Sequence, residues 1–311
     1  MKKSICTLLL LFCTLFSNDL LSQGAGCPSP IKGLRMVAIP GSTFQMGSER
    51  HANDELPVHT VRLDAFCMSA TEITVGQVRS VMGEIPQGLS WTPSPWTRED
   101  TLRLARRDSI AAFQPRQARE RRRREPQNPE TAVAISWNGA VEFCNALSRL
   151  AGLEPCYNLE TWDCDFTKKG FRFPTEAEWE YACRAGTNTV YFSGDDPASL
   201  IPYAWFDQKT ETANERLVGR KKPNPYGLFD MLGNVWEWCN DWYRHDYYSQ
   251  SSENNPTGPP NSRWGLMRVN RGGSRSSGPL ACRSGVRQGN PPAARNSRIG
   301  FRIVCQGTGM Q

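Results

Sequence analysis

The chain has 311 residues, with 37 Lys and Arg against 31 Asp and Glu and a formal net charge of +6. Ten arginines but only five acidic residues lie between Arg98 and Glu125. The excess therefore belongs to one segment, which excludes a domain-wide basic surface of the kind that binds nucleic acid. With 39% apolar residues, 26 Gly and 22 Pro, the chain can build a core but not many long helices.

Met1-Lys2-Lys3, an apolar run from Ile5 to Phe16 and the polar Ser17-Asn18-Asp19 predict a signal peptide over residues 1–23, cleaved near Ser22-Gln23. The run is shorter than the roughly 20 residues that span a bilayer, and nothing later is longer, so no retained transmembrane helix is expected. The expected location is a periplasm, a cell surface or the medium. Lipid attachment at Cys27 is the less favoured variant, because Gly24 stands where bacterial lipoproteins usually carry Leu.

Residues 24–33 read as a linker, 34–307 as one domain and 308–311 as a tail. The segment Leu34 to Ser48 alternates apolar and polar residues around Pro40-Gly41, predicting a hairpin of two half-buried strands; residues 58–74 predict a second strand pair. Val75 to Met82 has helical spacing. Residues 98–125 form a basic insertion whose run from Arg116 to Arg124 could meet an anionic partner such as a glycan or lipid. Ser136 caps a predicted helix running to about Gly152. Thr175 with Glu178 forms a capping box that opens another. Beyond Gly186 only short strands are expected, around Arg268 to Asn270 and Ile299 to Val304.

Nine of the 11 cysteines follow the signal region, and export makes disulfides their plain reading. There is no C-x-x-C, and only His51, His59 and His245 could complete a mixed site, so no structural zinc is expected.

Four segments in order, MVAIPGSTFQMGS (36–48), FRFPTEAEWEYACRAG (171–186), NPYGLFDMLGNVWEWCNDWY (224–243) and VNRGGS (269–274) with IGFRIV (299–304), resemble the formylglycine-generating, or sulfatase-modifying factor, family. The resemblance implies an α+β fold, a variant of the C-type-lectin-like fold, with short helices, small mixed sheets and many ordered loops. Trp179, Trp236, Trp238 and Trp242 are expected to anchor those loops by packing. Gly272-Gly273 is expected where a side chain would clash.

The resemblance also implies a structural calcium ion held by the carboxylates of Asp230 and Glu237 and the carbonyls of Gly233 and Val235, an all-oxygen shell. The other reading of the two carboxylates is that they cap turns or pair with arginines. A second calcium site of some members has no counterpart in Thr210 to Lys222. Active members bind copper(I) through two cysteines and oxidise a substrate cysteine to formylglycine. Counted forward from Ser274, those positions fall on Ser277 and Cys282; counted back from Gly300-Phe301-Arg302, Cys282 falls at neither. Either way a thiolate is missing, and copper is not expected. The resemblance further implies a Cys183–Cys282 bridge, with Cys239 as rival partner, and Cys144–Cys305; Cys156 and Cys164 could close a local loop. The iron-dependent sulfoxide synthase branch, whose helical domain carries three histidine ligands, is not expected, since only His51, His59 and His245 are present and no helical domain is read ahead of them.

Two functions compete. One is a non-catalytic binding or structural module holding a protein or glycan ligand outside the cytoplasm; the alternative is a copper-dependent formylglycine-generating oxidase with an altered site. The defective cysteine pair favours the first.

Overall fold

A computed structural model describes residues 26–49, 51–85, 128–207, 217–260 and 267–307. The expected signal peptide, the basic insertion read at 98–125 with Arg116 to Arg124, and the expected tail lie outside the described residues.

The first four strands, β1 (Met36–Ile39), β2 (Ser42–Met46), β3 (His59–Leu63) and β4 (Phe66–Ser69), are not two successive hairpins. β2 pairs with β3 and β1 with β4, all antiparallel, with Ile39 opposite Phe66 and Ser42 opposite Leu63. They form one long hairpin bent at Pro40-Gly41. This corrects the expected turn at Pro40-Gly41, and the reason is steric. A Cβ on Gly41 would lie 2.8 Å from the Ala65 nitrogen and 2.9 Å from the Leu63 carbonyl, so this Gly serves a close crossing of two backbones.

Three α-helices follow among the described residues. In α1 (Val75–Met82), Thr74 and Gln77 form a reciprocal capping box. α2 (Trp137–Leu150) starts from Ser136, whose hydroxyl accepts from the Gly139 N–H. In α3 (Glu176–Arg184), Thr175 and Glu178 cap as the sequence predicts. The remaining strands are β5 (Trp236–Trp242), β6 (Arg268–Arg271), β7 (Gln288–Asn290), β8 (Ile299–Phe301) and β9 (Val304–Cys305). They make a four-stranded mixed sheet in the order β7-β6-β5-β8, while β9 adds to β4 in a three-stranded sheet.

Strand alternation places a core on both sides of these sheets. On β5, Trp238 packs with Trp137, Phe143, Phe173 and Phe301, whereas the next residue, Cys239, joins Trp179, Met231 and Val269. The indole N–H groups have partners: Trp137 donates to Cys239 O and Trp238 to Ile135 O, both at 3.0 Å. Trp236 and Trp242 are only partly buried. Trp242 instead covers the Arg268 guanidinium, 3.6 Å from its ring, with Trp137 at 3.9 Å on the same group.

With so little regular structure, buried ion pairs hold the loops. Each glutamate of α3 takes an arginine: Glu176 takes Arg287, Glu178 takes Arg172, and Glu180 takes both Arg184 and Arg271. Glu55 holds Arg283 in the same way, with two hydrogen bonds of 2.7 and 2.8 Å. Both partners of each pair are almost wholly out of solvent; Glu55, Glu176 and Glu178 are each matched by a two-pronged guanidinium fork, while Glu180 takes one bond from each of its two arginines.

The cysteines depart from expectation. Cys27 is bonded to Cys67, with Cα atoms 5.7 Å apart. A lipid thioether would need the same Cys27 sulfur. The other seven described cysteines are free thiols, so the expected pairings of Cys183 with Cys282 or Cys239, Cys144 with Cys305 and Cys156 with Cys164 are absent. Cys305 faces Cys67 across β4 and β9, but that sulfur is already taken. Cys183 is wholly buried, and burial pushes its thiol up to about 12. Cys156 and Cys164 share a hydrogen bond, which draws the Cys156 thiol below its ordinary range and raises that of Cys164.

Candidate functional site

Two places qualify as sites. The first is the turn after β6, where the resemblance puts copper. Gly272 and Gly273 have φ of +91° and +78°. A Cβ on Gly273 would lie 2.7 Å from Cys282 Sγ and 2.8 Å from Ala281 O, so the glycine lets the backbone lie directly on the thiol. Cys282 has no exposed surface, and burial pushes its thiol up to about 12, with the Gly233 backbone opposing in part.

Ser277 occupies the other position. Its hydroxyl accepts from the Ser274 N–H at 2.9 Å and is 3.0 Å from the Ser274 hydroxyl, while its carbonyl accepts from Asp207 N–H at 2.8 Å. It is the knot of a tight turn. Copper(I) asks for two soft thiolates; the turn offers one hard hydroxyl and one buried, protonated thiol, and this donor set does not fit the ion.

The second place is the loop ahead of β5. Asp230 and Asn234 sit at φ +55° and +49° with Gly233 at +85° between them, so three residues here adopt the left-handed conformation. A Cβ on Gly233 would lie 2.2 Å from the Trp205 carbonyl, which explains the glycine. Gly233 and Asn234 are tied by backbone hydrogen bonds to Gly272 and Trp205. Val235 is buried and packs on Gly300.

Glu237, on β5, is filled from the protein side. Its carboxylate accepts from Arg302 Nε at 2.6 Å, Arg302 Nη2 at 2.7 Å and Trp179 Nε1 at 2.7 Å. Three of its roughly four lone-pair directions are therefore used. Pairing with an arginine, the simpler alternative weighed for Glu237, is its observed contact.

Asp230 accepts from the Gly219 N–H at 2.6 Å through one oxygen; the other is buried without a partner. Burial pushes its carboxyl up to about 6, with Arg302 and Lys221 opposing and Glu237 adding to the rise. Nothing in the sequence singled out Glu72, which lies between β4 and α1. It accepts from Asn234 Nδ2 at 3.0 Å across 162 positions of chain. Glu72 is wholly buried, and burial followed by the charges of Asp230 and Glu237 holds its carboxyl well above the carboxylate range.

A shallow cleft of about 170 Å³ opens beside Gly47, Arg184, Arg283 and Gly285. Both arginines there are held by Glu180, Glu55 and backbone carbonyls, three hydrogen bonds each, so their observed role is to fix the loops around the cleft.

Residues 27–306 match the family described as Sulfatase-modifying factor enzyme 1-like domain. The chain is 31% identical to the serine/threonine-protein kinase pkn1 of Chlamydia pneumoniae over 89% of its own length but spans only 38% of that protein. It is 30% identical to the formylglycine-generating enzyme of Bos taurus, covering 91% of this chain and 77% of the bovine one. Among solved structures, Treponema denticola variable protein 1 superposes with a TM-score of 0.67 at 31% identity, over 87% of this chain and 94% of that one. PvdO of Pseudomonas aeruginosa, at 22% identity and a TM-score of 0.66, shares the fold. These likenesses establish the α+β, C-type-lectin-like architecture. The chain belongs to the sulfatase-modifying factor enzyme 1-like domain family.

Proposed function

We propose that this chain is a non-catalytic binding or structural module, exported from the cytoplasm, which presents the loops of its scaffold to a protein or glycan ligand. Family membership does not choose between module and enzyme, because relatives named as enzymes and a relative named for variability are matched about equally well. The site carries the choice. Ser277 stands where the resemblance places one copper thiolate, and Cys282, the only sulfur in the turn, is buried beneath Gly273 with its proton held tightly. A nucleophile or metal ligand must reach the thiolate state and be accessible, and Cys282 meets neither requirement.

Copper(I) titration of the reduced protein against a chromogenic chelator tests this reading. The expected result is no tight binding attributable to the turn, with Cys282 reacting with an aromatic disulfide reagent only as fast as the protein unfolds. One equivalent of tightly held copper(I), lost in Cys282→Ser, would reverse the assignment to the oxidase.

A further inference from the structure

We propose that the cleft beside Gly47 binds an acidic sugar of the hexuronate class, its carboxylate meeting Arg184 and Arg283 and its hydroxyls meeting the polar rim. This deepens the module reading and rests on it, since it names the ligand that the scaffold holds. It starts from two charged side chains that are out of solvent and yet line an open cleft. Arg184 and Arg283 are each 6% exposed, and both line it together with Gly285.

Gly285 ties the two guanidiniums to one place. A Cβ there would lie 3.6 Å from Arg184 Nη2 and 2.9 Å from Glu55 Oε2, the oxygen that accepts from Arg283 Nη1 at 2.8 Å. Glu55 does not itself line the cleft. Neither guanidinium is used up. Arg184 donates to Glu180 and to the Thr189 and Gly47 carbonyls, and Arg283 donates to the Leu280 carbonyl and twice to Glu55. A guanidinium has about five N–H donors, so beyond these three bonds each terminal nitrogen keeps one N–H for a ligand.

Charge points the same way. Among the described residues Glu55 serves Arg283 alone, but Glu180 divides its carboxylate between Arg184 and Arg271. Arg184 is therefore a buried cation with a shared counter-ion, and a buried charge short of its partner is costly. A carboxylate in the cleft supplies the missing anion in the two-pronged contact that a guanidinium favours. The other ionisable groups on the lining, Glu49 and His51, are exposed, where solvent and salt screen them.

The rest of the lining selects a sugar over a bare carboxylate. Glu49 can only accept hydrogen bonds, the arginines can only donate, and Gln45 and Asn188 can do both. A ligand that answers all of them carries hydroxyl donors beside its anion. A uronate has these; an acidic peptide side chain does not. Val58 and Val190 add apolar surface for the C–H groups of a ring. At about 170 Å³ the cleft is smaller than the roughly 300 Å³ at which drug-sized sites begin. It equals about five or six waters' share of liquid volume, which suits one pyranose ring and no longer chain.

Calorimetric titration of the whole protein with methyl glucuronide tests the site, with methyl glucoside, acetate and a Gly-Glu-Gly peptide as controls. One glucuronide should bind per chain, and each control at least about tenfold more weakly, because each lacks either the carboxylate or the hydroxyls. Asn188 is exposed on the rim, so Asn188→Asp should leave Tm unchanged and weaken glucuronide binding at least about fivefold through the added negative charge. Arg184→Gln should abolish binding; should it not fold, Asn188→Asp carries the test. No glucuronide bound, binding unchanged in Asn188→Asp, or acetate or peptide bound as tightly overturns the sugar site. Copper(I) titration of the same preparation keeps the two readings apart. Copper held at the turn overturns the module whatever the cleft binds, and an empty cleft with no copper bound overturns the sugar site alone.

Discussion

Replacing Arg302 with Met tests how the loops are held together. The guanidinium is fully buried, donates twice to Glu237, and donates once each to the carbonyls of Ser69 at 3.0 Å and Phe229 at 2.9 Å. Methionine keeps most of the stem volume but leaves Glu237 with Trp179 Nε1 as its single donor and strips a donor from each of two buried carbonyls. Breaking a buried pair from one side costs about 3–5 kcal/mol, and each orphaned acceptor about 1–3 kcal/mol. These costs overlap, so the expected loss is about 5 kcal/mol and not the sum. Urea unfolding at pH 7 and fixed salt measures it. Glu237→Met should cost about 3–5 kcal/mol on the same grounds. The double variant Glu237→Met/Arg302→Met should cost less than the two together by at least about 1 kcal/mol, because neither charge is then stranded. A loss below about 1 kcal/mol for Arg302→Met, or strict additivity, would refute the idea that this pair holds β5 to the C-terminal strands.

Three further outcomes follow from particular contacts. Burial, with the charge of Glu176 next, pushes the Asp241 carboxyl up to about 8, far above the roughly 3.9 of an unfolded aspartate. The native state therefore binds this proton more tightly, and its stabilisation is full below about pH 4 and lost as pH rises towards 8. Asp241→Asn should gain on wild type by at least about 1 kcal/mol between pH 5 and pH 8, and a pH-independent difference would count against it. Gly273→Ala must seat a methyl 2.7 Å from Cys282 Sγ at φ +78° and should lose about 2–4 kcal/mol, whereas Gly278→Ala, which meets nothing within 4 Å, should change little. Equal unfolding curves for the two would contradict the close packing. Cys27→Ser opens a bridge between residues 40 positions apart and should cost about 2–4 kcal/mol by urea unfolding; an unchanged midpoint would mean that the bridge closes no constrained loop.

What could be read from the sequence is what neighbouring residues decide. Ser136 and Thr175 cap their helices through side chains three positions from their partners, so spacing alone reveals them. The tryptophans and Gly272-Gly273 likewise carry their reasons in size or in the lack of a side chain. Long-range choices were not legible. Pro40-Gly41 satisfies a local turn pattern, yet the register of β1 with β4 makes it a bend in a long hairpin. The α3 glutamates find arginines as far as 111 positions away, and Glu72 reaches Asn234 over 162. In sequence, Glu72 sits within a stretch explained by the Thr74 cap, so nothing marked it as a partner of the loop before β5. The cysteine pairings misled for a related reason. Spacing and resemblance do not show that Cys67 is taken by Cys27.

The most direct measurement is catalytic. The protein is loaded with copper under reductant and oxygen, incubated with a peptide carrying the sulfatase-type Cys-x-Pro-x-Arg motif, and the peptide is analysed by mass spectrometry for the aldehyde. The account predicts no formylglycine above a heat-denatured control, because the turn holds a hydroxyl at Ser277 and an inaccessible thiol at Cys282. Copper-dependent loss of the peptide thiol with formation of the aldehyde, abolished by Cys282→Ser, would contradict it.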